Sequence, residues 1–332
     1  MFVSFPSIPL IDVPAGEEPA LHGMRMEPRR LNALLDSGYK FYTPAGVRIA
    51  EHLTRRWARR LTTPYADAVH RAALLAGRPG LFLMNHSYEW GCTTGAGDDS
   101  DLGGVTLLRT LDWPLDGLGD SAIVLNCRGE AGPYWSVTWP GYVGVLTACA
   151  PGRFAAAINQ PPARPSGLGR PGDWLATRLR MSRRHAIPPT HLLRQAFDHC
   201  ASFHEAVNLI SSTPICIPAI FTLAGTQPGE SVVLERTETG CHRLPRPIAA
   251  NHWVEAPERG NPRNETSHDR RAQMIGHLDQ NDAYDWSFDW LFAPILRHDT
   301  RLAVMANAKS GRMSVIGLEK HGKATAQLDL AA

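Results

Sequence analysis

The sequence predicts a single α+β domain. Two observations carry this: apolar runs of strand character lie on both sides of a helical pair, and the composition suits a chain that buries a large core, with 43% hydrophobic and 20% charged residues. A length of 332 residues admits one large domain or two average ones. The order strands, helices, strands favours one unit of sheet and helix layers over repeated βαβ units.

Helical spacing runs over 44–61 and again over 66–76, where Gly77 and Pro79 of "LLAGRPG" stop the second helix. Within "LTRRWARRL" (53–61), the four-residue spacing of Ile49, Leu53, Trp57 and Leu61 predicts one buried helical stripe beside a solvated arginine face. A short apolar run at 81–84 leads to Cys92. Beyond it, "GVTLLRTL" (104–111), "SAIVLNC" (121–127), "YVGVLTACA" (142–150) and "RFAAAIN" (153–159) read as strands joined by Gly and Pro turns. Residues 161–189 are rich in Pro, Arg and Gly and read as a long surface excursion that could cover a site. Helices follow over 191–200 and 203–212, the second with Ser202 and Glu205 at capping-box spacing. Strand-like runs return at 216–224, 231–236, 302–306 and 313–317.

Several function classes are disfavoured by composition. Lys plus Arg number 34 against 32 Asp plus Glu, a net charge of +2, so no global field gathers nucleic acid or anionic lipid, and no nucleic-acid partner is expected. The six cysteines (92, 127, 149, 200, 216, 241) form no Cys-x-x-Cys pair, which argues against a zinc or dithiol site and for reduced thiols. The fourteen histidines show no ligand spacing and no papain-like partner motif, so neither a metal nor another cofactor is expected. "MFVSFPSIPLIDVPAG" lacks a basic stretch and is broken by Pro6 and Pro9, unlike a signal peptide, and the longest apolar run, "ICIPAIFTLAG", is about half the ~20 residues of a membrane span. No integral membrane segment is expected.

The chemistry centres on "YEWGCTTGAGDDSDLGGVTLLRTLDW" (88–113). A lone cysteine is commonly a small buried hydrophobe. Here Gly91 precedes it and Thr93 and Thr94 follow, so no bulky side chain blocks attack of the Cys92 sulfur on the carbonyl just upstream. An N-to-S acyl shift there, followed by cleavage between Gly91 and Cys92, would free an α-amine whose reference pKa of ~7.7–8.0 suits a base, beside a thiol of reference pKa ~8.5. One residue then supplies nucleophile and base. Arg109, among leucines, must reach solvent or find a carboxylate, and Asp112 is the obvious candidate. A carboxylate near Cys92 would orient the amine, while the guanidinium would fix that carboxylate or lower the thiol pKa. Strand parity sends 109 and 112 to opposite faces, so both reach Cys92 only if the strand bends or ends near Leu111. The alternative is an edge-strand ion pair of little consequence.

These residues resemble the cholylglycine hydrolase branch of the N-terminal nucleophile hydrolases, and are most similar to acid ceramidase and N-acylethanolamine acid amidase. "YEWGCTT" resembles the processing site, "RTLDW" the Arg-Asn-Leu-Asp segment and "WPGYVGVLTACAPGRFAAAIN" the Gly-Tyr-Val-Gly strand and its partner. "SIPLIDVP", "ESVVLER", "ANHW", "HDRR" and "PILRHDTRLAVMANAKSGRM" resemble family segments in the same order, over nearly the whole chain.

The resemblance implies an αββα sandwich of two antiparallel sheets flanked by helices. It implies a helical N-terminal segment, 1–91, and a catalytic part, 92–332, that stay associated after cleavage. Cys92 would be nucleophile and processing residue, Arg109 and Asp112 its support, Asn251 an oxyanion-hole donor and Arg270 a further active-site cation, with Arg271 and Arg263 as rivals for that role. The expected reaction is hydrolysis of a linear N-acyl amide with an apolar acyl group through a thioester. Trp139, Tyr142 and Asn159 are substrate-pocket candidates, although aromatic core packing also accounts for the first two. The same nucleophile would serve acyl transfer, and an unprocessed chain would be a non-catalytic lipid-amide binder. Where ceramidase-like proteins carry an acidic residue after the strand ending at Asn159, this chain has Gln160, and the interval between Asn251 and Arg270 is expanded by "PERGNPRNETS". With no targeting signal read in the N-terminal stretch and no acidic residue at 160, a cytoplasmic enzyme working near neutral pH is expected.

Overall fold

The structure, a computed structural model, describes residues 5–164, 167, 169, 179, 183–258, 260, 265–320 and 322–332. Most of the predicted 161–189 excursion, and Arg263, lie outside the described residues. The chain opens with β1 (Leu10–Asp12) and five helices, α1 (Pro19–Met26), α2 (Pro28–Tyr42), α3 (Pro44–Ala58), α4 (Ala66–Ala76) and α5 (Leu81–His86). Prolines at the first positions of α1, α2 and α3 mark their starts, because proline's missing N–H costs nothing there. Gly77 closes α4 in the left-handed conformation.

Strands β2 (Gly91–Asp98), β3 (Val105–Asp112), β4 (Ile123–Gly129), β5 (Gly132–Thr138), β6 (Thr147–Ala150) and β7 (Phe154–Asn159) follow. Next come α6 (Pro189–His199) and α7 (Phe203–Ser212), the latter capped by Ser202 accepting from the Glu205 N–H. The remaining elements are β8 (Ala219–Ala224), β9 (Ser231–Arg236), β10 (Cys241–Arg243), β11 (Ile248–Ala249), α8 (Ser267–Gln280), β12 (Thr300–Asn307), β13 (Arg312–Glu319), β14 (Gly322–Lys323) and β15 (Leu328–Ala331).

Two sheets form, ordered β1-β4-β5-β6-β7-β8-β9-β10 and β11-β2-β3-β12-β13-β14, with β15 beside β13. β2 and β3 lie across from β7 and β8, α6 and α7 contact the first sheet, and α8 covers β2 and β11 of the second. The architecture is thus an α+β sandwich of two sheets flanked by helices. The largest buried cluster includes Cys92, Leu107, Leu111, Ala148, Ala156, Ile158 and Phe221, all at most 0% exposed. A second cluster, with Leu108, Met274 and Ile316, lies around α8. Pairing is antiparallel except that β1 runs parallel to β4, so the N-terminal segment supplies an edge strand that the expectation of wholly antiparallel sheets omitted.

The stripe expected on α3 is half right. Trp57 and Leu61 are buried, but Ile49 is 64% and Leu53 51% exposed. The buried face instead carries Val47, Thr54 and Trp57, a mixed three- and seven-residue spacing on the 3.6-residue turn, which a strict four-residue rule drifts away from. The run at 142–150 forms a strand only over Thr147–Ala150, because Gly141, at φ 85°, and the turn after it carry residues 142–146 around a corner.

Candidate active site

Cys92 lies one residue into β2, opposite Leu111 of β3, and Thr94 lies opposite Arg109. These residues share a face, and it is the one directed at the other sheet. Arg109 is 1% exposed, and its Nη2 donates to Cys92 Sγ at 3.2 Å and to the Ile158 carbonyl at 3.2 Å, while Nη1 donates to Thr147 Oγ1. The thiol donates to the same Ile158 carbonyl at 3.7 Å. The guanidinium is therefore held by β6 and β7 and presented to the sulfur from β3.

The backbone of Cys92 is bound from the opposite side. β11 pairs with β2 only at Thr94 and Gly95, which leaves the Cys92 N–H and carbonyl to side chains. The N–H donates to Asn251 Oδ1 at 2.8 Å, and Arg270 Nη1 donates to the Cys92 carbonyl at 2.6 Å and to Thr93 Oγ1 at 2.7 Å. Arg270 Nη2 donates to Asn251 Oδ1 at 2.8 Å, and Asn251 Nδ2 donates to the Gln160 carbonyl at 2.7 Å. With two donors on one oxygen and a carbonyl acceptor on the nitrogen, the orientation of the Asn251 amide follows from its neighbours. The Asn251 N–H donates in turn to Ser267 Oγ at 2.8 Å.

Helix α8 supplies Ser267, Arg270 and Met274 on one buried face. It approaches β2 closely because position 95 is glycine: a Cβ there would lie 2.7 Å from Met274 Cγ. Arg271, one residue on, turns away and donates from Nε to the Ile248 carbonyl at 2.9 Å.

Asp112 lies opposite Gly91 at the end of β3, on the α8 side of the sheet. The expected Arg109–Asp112 ion pair is not formed: the three-residue interval keeps the two side chains on opposite faces. Asp112 is instead 3.3 Å from Arg270 Nη1 and accepts from Thr300 Oγ1 at 2.8 Å, with Arg297 at 4.0 Å. A register shift between Thr300 and Leu302 on β12, beside the end of β3, accompanies this contact.

Burial pushes the Cys92 thiol up, with Arg109 as the largest opposing influence. Burial likewise raises the Asp112 carboxyl, opposed first by Arg270. Desolvation lowers Arg270, countered by Asp112. In the intact chain the thiol is thus held protonated, 0% exposed, with the groups that favour a thiolate already in place.

Asn159 Nδ2 donates to Thr94 Oγ1 at 3.1 Å and to the carbonyls of Ala249 and Ala250, tying β7 to the strand before Asn251. Trp139 and Tyr142 are 1% and 2% exposed, and the Trp139 Nε1 donates to the Leu118 carbonyl at 2.8 Å. Trp139 also walls an apolar cleft with Trp113, Leu118, Leu34 and Leu83. Trp113 packs on Trp90, two residues before the cysteine, and Trp90 on Tyr88, whose φ of 50° is rare for an aromatic residue. Thr147, Thr300, Ser267 and the Ile158 and Gln160 carbonyls join the site without any local sequence signal, since only strand pairing brings them in. Among the described residues no group of three or more His, Cys, Asp or Glu side chains could hold a metal ion, and no helix is long and apolar enough to cross a membrane.

In sequence the chain is similar to acid ceramidase from Bos taurus, 30% identical over 101 residues that make up 30% of this chain and 24% of that protein. It is similar to N-acylethanolamine-hydrolyzing acid amidase from Oryctolagus cuniculus, 28% identical over 228 residues, 63% of this chain and 58% of that one. The protein of that name from Caenorhabditis elegans is 26% identical over 200 residues, 59% of this chain and 54% of that one. The matches therefore span 24% of the ceramidase and 54–58% of the two amidases. No protein-family model matches the chain. Among solved structures, the Caenorhabditis elegans N-acylethanolamine-hydrolyzing acid amidase ortholog has the same fold, with a TM-score of 0.52 at 19% identity, covering 72% of this chain and 100% of that chain.

Proposed function

We propose that this relative of acid ceramidases and N-acylethanolamine-hydrolyzing acid amidases is itself an amidase, which splits its own backbone before Cys92 and then hydrolyses linear N-acyl amides with an apolar acyl group. One observation supports the reading above the others: the sulfur, nitrogen and carbonyl oxygen of Cys92 are each bound by a different side chain, Arg109, Asn251 and Arg270. A cysteine used only for packing needs partners for its buried backbone N–H and carbonyl, but not a buried guanidinium at its sulfur.

In the processing step the Cys92 sulfur attacks the Gly91 carbonyl. The Gly91–Cys92 C–N bond breaks as the C–S bond forms, and the thiol proton passes to the departing nitrogen. Water then hydrolyses the thioester, leaving a Gly91 carboxylate and a Cys92 α-amine held at Asn251 Oδ1. In turnover the amine takes the thiol proton while Arg109 stabilises the thiolate, and the sulfur attacks the substrate carbonyl. Asn251 Nδ2 has a second hydrogen beyond the one given to Gln160, and we assign it, with backbone N–H groups, to the oxyanion. The ammonium protonates the leaving nitrogen, and water cleaves the thioester. Asp112 and Arg270 fix the Cys92 backbone throughout. The two pieces, 1–91 and 92–332, stay associated, with β1 still paired to β4.

Intact-mass analysis of purified protein, paired with an assay on N-acyl ethanolamines and ceramides, tests the reading. Wild type is expected to yield a fragment beginning at Cys92 and to release fatty acid, and Cys92→Ala to do neither. Turnover by a chain with an unbroken backbone, or by Cys92→Ala, overturns it.

A further inference from the structure

The arginine-rich face of α3 borders a cleft that the chemistry at Cys92 does not use. Helices α3, α4, α5 and α6 enclose a cavity of ≈ 270 Å³, with Leu61, Val69 and Phe82 among its apolar walls and Arg55 and Arg59 among its cationic ones. His191, from α6, also lines it and is 0% exposed. We propose that this cavity is a binding site for an organic carboxylate with a short apolar tail.

The argument begins at His191. Its Nδ1 lies 3.0 Å from Thr63 Oγ1, and that oxygen accepts from the Tyr65 N–H at 3.3 Å. We take the Thr63 hydroxyl as the donor to Nδ1; the ring proton then sits on Nε2, which is buried with no hydrogen-bond partner among the described residues. Leaving a buried N–H unmet costs roughly 1–3 kcal/mol, which an acceptor supplied by a ligand recovers. Edge-on packing against Tyr65 and His86, with ring centroids 5.5 Å and 5.9 Å away, fixes the ring. Burial, His86 and Arg194 hold its pKa well below the usual histidine value, so it donates as a neutral group.

The rest of the cavity selects charge and shape. Arg55 lies over the Phe82 ring at 5.8 Å and close enough to Glu51 to favour its ionised form, and Arg59 adds a second guanidinium to the lining. Asp67, which also lines the cleft, is 3.7 Å from Arg71. One buried N–H donor, two guanidinium groups and hydrocarbon walls match a monoanion with a tail. With Arg55 already shared with Glu51, a phosphate dianion would bring a second charge that Arg59 alone does not offset.

Isothermal titration of the full-length protein with octanoate tests the site, with octanol and octyl phosphate as comparisons. Saturable octanoate binding is expected, at least tenfold weaker in Arg55→Ala/Arg59→Ala and in His191→Phe, which keeps a ring between Tyr65 and His86. Octanol should bind at least tenfold more weakly, and Cys92→Ala should bind octanoate like wild type, which separates this proposal from the reading of Cys92. Arginine substitutions on an exposed helix face leave the melting temperature as a check on folding. Absence of saturable octanoate binding overturns the proposal, as does binding unchanged in both variants, which would place the ligand elsewhere. Tighter binding of octyl phosphate than of octanoate overturns the carboxylate assignment and points to a lipid phosphate headgroup.

Discussion

Arg109 is the residue whose chemistry is most specific to the site. It is the largest influence opposing burial at the Cys92 thiol, so its loss leaves only the more distant Arg270 against desolvation and raises the thiol pKa. At a fixed pH less thiolate then exists, and the acidic limb of the rate profile moves to higher pH. A charge-assisted hydrogen bond is worth about 1.5–3 kcal/mol, so Arg109→Met should lower the rate of backbone splitting and kcat/KM roughly 10- to 150-fold, measured as pH–rate profiles. An unshifted limb would show that the guanidinium does not act on the sulfur. Asn251→Ala removes both the acceptor for the Cys92 nitrogen and the assigned oxyanion donor, and turnover should fall about a hundredfold or more, read as kcat in single-turnover assays. Of the site, Cys92 and Arg109 were legible from local sequence, because a thiol beside a glycine and an arginine among leucines both need explaining. Asn251 and Arg270 stood out only through family resemblance, since 159 and 178 residues separate them from Cys92. Asp112 is the nearest carboxylate to Arg109 in sequence, but the parity of β3 separates the two, and only the fold brings it to Arg270.

Elements were legible where one period dominates. Strands β3, β4, β7 and β9 and helices α4 and α7 follow from continuous apolar runs or capping signals. β5, "GPYWSVT", has neither strict alternation nor a long apolar run, and α1 and α2 take their burial from packing on the sheet edge and on the neighbouring helices. These N-terminal elements are joined to the rest by a polar contact as well as by β1. Glu18, before α1, accepts from Arg194 of α6 at 2.6 Å and 3.0 Å, and Arg194 also lies 3.4 Å from Asp198 and 4.2 Å from the Tyr65 ring centroid. With side-chain exposures of 8% for Arg194 and 17% for Glu18, removing one partner leaves a largely buried guanidinium undercompensated. Glu18→Ala is therefore expected to cost about 3 kcal/mol, seen as a lower urea midpoint with an unchanged slope. If the backbone splits before Cys92, this pair spans the two pieces, and the same variant should release the 1–91 fragment at lower urea than wild type does. A midpoint within experimental scatter of wild type would assign the association to β1, apolar packing and the other polar contacts across the two pieces, such as Tyr65 to Asp198 at 2.7 Å and Asn85 to the Gly141 carbonyl at 3.0 Å.

At the scale of the molecule, the relevant condition is pH, because two buried histidines, His191 and His252, are held below their ordinary pKa. Burial, followed by His268, Arg271 and Arg270, brings His252 down to about 4, and burial also holds His191 well below its ordinary value. His252 sits 3.8 Å from His268, centroid to centroid, with its Nδ1 2.8 Å from Ser267 Oγ, so a proton on this ring places a cation against the helix that carries Arg270. In the unfolded chain such a histidine protonates near its ordinary value of ~6.5, well before the folded chain does. Between that value and about 4 the unfolded state binds more protons, and stability rises with pH. The contribution is complete above ~6.5 and is lost as the pH falls. Burial raises Glu51 and Glu319, and these carboxyls act in the opposite sense over the lower part of that window, so the net profile of wild type alone does not isolate the histidine. Comparison with His252→Asn does, since the carboxyls are common to both proteins. Urea unfolding at pH 7.5 and pH 5 should show wild type losing about 2 kcal/mol more than His252→Asn between the two conditions, following ~1.4 kcal/mol per pH unit for one proton. Equal losses would mean that His252 titrates normally in the folded chain.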